Sequence, residues 1–157
     1  MKVALIMGFV WCVGCASGQT AFVPFRSQWF YSDDGSDQGD AWRQQGFDPE
    51  SEGWSSGLAS LGYGRTQLNT QIRFGSDLGN RHRTTYFLHE FEVSSLQISQ
   101  INVLELSCVL ERRCGAIVYL NGTEIWREGM PDEGMLDFQT FADGSGGPFD
   151  TESSTAL

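Results

Sequence analysis

At 157 residues the chain has room for one domain with a core of its own. Its formal charge of −10, from 20 acidic against 10 basic residues, repels phosphate backbones and anionic lipid surfaces, so no nucleic-acid partner is expected. With 19 glycines, 13% aromatic residues and Lys2 as its single lysine, the composition favours short strands joined by tight turns over helices.

The N-terminus reads as an export signal. Lys2 supplies the positive start, Val3 to Val13 an apolar run, and Gly14 to Gly18 the small residues after which cleavage is expected, at Ser17 or Gly18. The run is too short for a stable bilayer anchor. Cys12-Val13-Gly14-Cys15 also has a lipobox-like spacing, which would make Cys15 a lipid anchor instead, and a retained N-terminal helix is the third reading. The expected organisation is a signal over residues 1–18, a β-sandwich domain over 19–143, and a polar tail, loop or disorder, over 144–157.

Aromatic residues from Phe22 to Tyr31 predict a first strand, followed by an acidic loop from Asp33 to Asp40. Ala41 to Phe47 has the length of one helical turn. Trp42 and Trp54 then flank a Gly-, Ser- and Glu-rich stretch. Leu58, Leu61 and Tyr63 lie between glycines, and Leu68, Ile72 and Phe74 give Gln67 to Phe74 the alternation of a half-buried strand. After a polar loop from Gly75 to Arg83, Thr84 to Val93 alternates with Thr85, Phe87, His89, Phe91 and Val93 on one face and Tyr86, Leu88, Glu90 and Glu92 on the other. Ile101 to Leu110 and Gly115 to Leu120 are further strands. Asn121-Gly122 before Thr123 to Arg127 predicts a type I′ hairpin, because both central residues of that turn need positive φ.

Residues that carry chemistry are sparse. His82 and His89 have no zinc-ligand spacing. No Gly-x-Ser-x-Gly elbow, phosphate loop or dinucleotide fingerprint is present, so the chain is not expected to be an enzyme. Asp33, Asp34, Asp37 and Asp40 offer the oxygen donors a structural Ca²⁺ would need, against the simpler reading of a solvated acidic turn. No other cofactor is expected. Cys108 and Cys114, the pair left once the signal is gone, predict a disulfide in an exported chain, with two reduced, buried cysteines as the alternative. Asn121-Gly122-Thr123 is a glycosylation acceptor pattern, although the hairpin alone explains Asn121. Trp42, Trp54, Tyr63 and Trp126 read first as core residues and second as platforms for sugar rings.

Together, Trp29 to Tyr31 with Asp34-Gly35, Trp42, Phe47-Asp48, Trp54 with Gly57, Leu61-Gly62-Tyr63-Gly64, Thr84-Thr85-Tyr86-Phe87, and Gly115 through Ile125 with Arg127, Met130 and Pro131 resemble the galactose-binding-like jelly-roll domains. These are extracellular accessory modules often appended to hydrolases, phosphatases or cell-surface proteins. The likeness spans most of residues 28–142, and Leu-Gly-Tyr-Gly with Tyr-Leu-Asn-Gly are its more specific segments. It implies an all-β jelly-roll sandwich with a non-catalytic, commonly glycan-binding role. Two departures stand out. Arg113-Cys114-Gly115 replaces an Asp-Asp-Gly turn found in many members. A polar tail stands where other members continue with apolar strands, so the sandwich is expected to lack its closing strands and leave an inner sheet edge unpaired.

The expected function is a secreted or cell-surface module that binds carbohydrate or an extracellular protein, with Trp42, Tyr63 or Trp126 stacking on a sugar and Arg127 making polar contacts. The alternatives are an accessory fragment of a larger exported hydrolase, such as a metallophosphoesterase, and a structural protein-interaction module.

Overall fold

The computed structural model describes residues 2–6, 21–77, 79–97, 107–112, 114–132, 136–143 and 150–155. The lipobox-like Cys12 to Cys15, the expected cleavage point and the first half of the strand expected over 101–110 lie outside them. The fold is all-β. Its strands are β1 (Lys2–Ile6), β2 (Gln28–Ser32), β3 (Ser55–Leu58), β4 (Leu61–Gly62), β5 (Thr70–Gln71), β6 (Gly75–Asp77), β7 (Asn80–Arg81), β8 (Tyr86–Glu90), β9 (Ser107–Arg112), β10 (Ala116–Leu120), β11 (Thr123–Glu128) and β12 (Asp150–Thr155). A 3-10 turn, Ala41–Arg43, follows the acidic loop. Among the described residues no helix is long and apolar enough to cross a membrane.

One antiparallel sheet organises the molecule, in the order β11-β10-β1-β8-β2-β3. Its register aligns Tyr31 with Phe87, Phe87 with Leu5, Leu5 with Val118, and Val118 with Trp126. Side chains alternate across a pleated strand. The row through Phe87 and Val118 therefore faces one way, and the neighbouring residues Tyr86, Leu88, Ile117 and Tyr119 face the other. Both faces are covered. On the first, Trp29, Phe87, Ala116 and Val118 pack with Ala59, Leu61 and Ile72 from the β4–β5 region. On the second, Tyr86, Leu88, Ile117 and Tyr119 pack with Trp42, Trp54 and Met130. Burying a side chain such as Phe87 or Leu88, 1% and 0% exposed, stabilises by roughly 1.5–3 kcal/mol each. The two faces expected for this strand are thus present, but both are core, and the ladder shortens to Tyr86–Glu90.

The Asn121-Gly122 hairpin forms as expected, with φ of 50° and 84° at its two central residues. A register shift opposite Val118 and Tyr119 then marks a β-bulge in β11. The bulge interrupts the alternation, and consecutive residues Ile125 and Trp126 both pack against the first core.

Two expectations change. The polar tail contributes a strand, β12, whose residues pair with β9 from Thr155↔Ser107 to Asp150↔Arg112; its Thr and Ser are compatible with a ladder once an edge is offered. Cys114 is a thiol rather than half of a disulfide. The reason is a pairing distant in sequence: Ser107–Arg112 is held extended by β12, so the chain leaves Cys108 at about 3.3 Å per residue instead of folding back in a tight turn. Lys2–Ile6, which also opens the apolar run expected to be an export signal, forms an inner strand of the main sheet.

Candidate functional site

Where β2 ends, the chain turns Asp33 inward, and its side chain is only 4% exposed. A carboxylate there needs its lone pairs filled. Arg73 does this: its backbone N–H donates to Oδ2 at 2.6 Å, while Nε and Nη2 donate to Oδ1 at 3.0 and 2.8 Å. The hydrogen bonds from Arg73, and then the charge of Asp33, hold the guanidinium more firmly protonated than usual. Most of that guanidinium remains exposed, with the side chain at 71%. His82 closes the clasp by donating from Nδ1 to the Asp33 carbonyl at 2.9 Å; since a carbonyl only accepts, Nδ1 carries the proton. A Cβ on Gly35 would sit 2.6 Å from the His82 ring, so only glycine fits against it.

Beside this clasp is an aromatic layer. Phe74 follows Arg73 directly, and its ring lies 5.0 Å from that of Tyr63, tilted by 38°. The hairpin β6–β7 returns the chain so that Gly75 pairs with Arg81 and the His82 N–H donates to the Phe74 carbonyl at 2.8 Å. Arg81 is thereby placed over the Tyr63 ring, 5.7 Å from its centroid, a cation–π distance. Tyr63 and Phe74 are half-buried and Arg73 and Arg81 exposed. Residues 65–83 hold Arg65, Arg73, Arg81 and Arg83 against one acid, Asp77, in a strongly acidic chain.

Of the residues expected to touch a sugar, Tyr63 alone lies in this layer. Trp42 is 1% exposed, with Tyr86 and Tyr119 edge-on to its ring at 5.1 and 6.0 Å, so it presents no face to a ligand. Trp54 is likewise core, donating from its indole N–H to Gln38 Oε1 at 3.0 Å. Trp126 is half-buried on the first face, at the β11 end of the row that begins at Tyr31; four strand spacings put those ends roughly 19 Å apart. Arg127 takes the other face by alternation. Its Nε and Nη2 donate to Glu124, and Nη1 donates to the Pro131 carbonyl at 2.7 Å, so its donors are already engaged. Phe74 was read only as part of a strand alternation, and Arg73 and Arg81 carried no signal beyond their residue type, because only the hairpin and the Asp33 clasp bring them to Tyr63.

The four aspartates expected to bind calcium each serve a local role. Asp33 holds Arg73. Asp34 accepts from the Ser36 hydroxyl and N–H at 2.6 and 2.9 Å, which together keep its carboxyl below the usual range. Asp37 accepts from the Gly39 N–H at 2.8 Å, and Asp40 pairs with Arg43. No group of three or more His, Cys, Asp or Glu able to hold a metal occurs among the described residues. Asn121 is exposed at its turn.

Comparison of the chain with protein families, with curated proteins and with solved structures finds no match.

Proposed function

We propose that the chain is a secreted or cell-surface, non-catalytic binding module of the galactose-binding-like jelly-roll type that takes carbohydrate on the Tyr63 layer. The observation that carries this reading is the pairing of a half-buried aromatic layer, Tyr63 on Phe74, with the guanidinium of Arg81 above it. Sugar C–H faces pack on such rings, and guanidinium donors meet hydroxyl or carboxylate oxygens. Arg73, held in place through Asp33 by its Nε and Nη2, adds Nη1 as a further donor with little further ordering to do.

A glycan array probed with the folded protein, in Ca²⁺ and again in EDTA, tests the proposal. Binding that survives EDTA is expected, because the aspartates already have protein donors. Tyr63→Ala and Arg81→Ala should each weaken it by about five- to thirtyfold, as loss of a stacking or cation–π contact of about 1–2 kcal/mol does. An array without signal in both buffers rejects the reading.

A further inference from the structure

The centre of the main sheet contains a second feature that the carbohydrate reading leaves unused. Among its strands whose burial is described, β8 and β10 are the most deeply buried, with Tyr86, Phe87, Leu88, Ala116, Ile117 and Val118 all at 3% exposure or less. They do not pair with each other. Both pair antiparallel with β1, so they run parallel to one another with a gap one strand wide between them. Lys2–Ile6 fills that gap, from Ile6 opposite Tyr86 and Ile117 to Lys2 opposite Glu90. Because the sheet is core on both faces, any segment lying there has to be apolar at successive positions, and Val3, Ala4, Leu5 and Ile6 are.

Those same residues open the run that reads as a cleavable export signal. A chain that loses residues 1–18 loses β1, and the inner edges of β8 and β10 are left with unpaired N–H and C=O groups in the middle of the core. Such groups are costly unless a new strand supplies partners. We propose that the space between β8 and β10 is a strand-accepting site, and that in the processed chain it takes an extended segment of another polypeptide running antiparallel to both. The partner segment is at least four residues long, apolar on both faces and without proline, since proline lacks the N–H a central ladder uses. A basic residue at its start would stand opposite Glu90, the ladder position Lys2 holds.

The test uses the full chain with Ala4→Pro and Ile6→Pro, which removes two ladder donors from β1, and a capped synthetic peptide with the sequence of Met1 to Met7. Amide hydrogen exchange at β8 and β10 should quicken by about tenfold or more in the variant and slow again on adding peptide, whereas a peptide carrying the same two prolines should have no effect. Unchanged protection in the variant, or a peptide that restores none, overturns the proposal. Should the variant not fold, a specific protease site placed after Gly18 in the parent allows cutting after folding. Labelled residue 1–18 peptide then exchanges into the cut protein at one per chain if the site accepts strands, and its failure to enter overturns the proposal. Neither outcome touches glycan binding at Tyr63, so the two proposals fail separately.

Discussion

Asp33 and Tyr86 show how single side chains govern this molecule. Asp33 is almost fully enclosed, and its partner Arg73 is mostly exposed, so solvent screens part of their attraction. Asp33→Asn keeps the shape but removes the charge from three hydrogen bonds. A loss of roughly 1–3 kcal/mol is expected in urea denaturation, together with weaker glycan binding as Arg73 loses its anchor. Tyr86, which accepts the Gln38 N–H at 3.4 Å, has its phenol pushed up to about 12, chiefly by burial. The unfolded phenol ionises near 10. Below pH 10 both states keep the proton and the contribution is complete; above it the unfolded chain releases the proton first, so stability falls as pH rises towards 12. Thermal melts from pH 8 to 12 should show that decline, smaller in Tyr86→Phe, with a remainder from Tyr119, also raised by burial. Tyr63, Trp42, Trp54 and Trp126 were candidates on residue type alone, and nothing in a sequence tells an aromatic ring that plugs a core, as Trp42 does, from one that lines its rim, as Tyr63 does.

At the scale of elements, the β10–β11 hairpin and its bulge set what the second edge of the sheet presents. Gly122 has φ of 84° and leaves only 3.2 Å between an added Cβ and the Gln44 amide. Gly122→Ala should cost about 1–2 kcal/mol by urea denaturation. Removing a plug is worse: Trp42→Ala opens a cavity among Trp54, Tyr86 and Tyr119 and should cost roughly 3–5 kcal/mol in the same assay. Asn121-Gly122 and the period-two run around Phe87 were readable because turn chemistry and pleat alternation are local. The disulfide between Cys108 and Cys114 failed on a non-local fact, the pairing of β9 with β12 in place of a turn back toward Cys114.

Across the whole molecule, burial is concentrated on β8 and β10 and thins toward β3 and β11, whose residues are exposed or half-buried. Native-state hydrogen exchange in the full chain should therefore find its slowest amides in Tyr86–Leu88 and Ala116–Tyr119 and fast ones in Ser55–Leu58. The sequence by itself determined the all-β class, the hairpin at Asn121-Gly122, the alternation of β8 and the acidic turns, all of which arise from interactions within a few residues. Only the tertiary structure decided that both faces of β8 are core, that Arg73, Phe74 and Arg81 gather at Tyr63, and that Lys2–Ile6 lies between β8 and β10. Strand partners meet across tens of residues, where loop closure is costly and register is selected by the joint burial of both faces, and no local pattern records that selection.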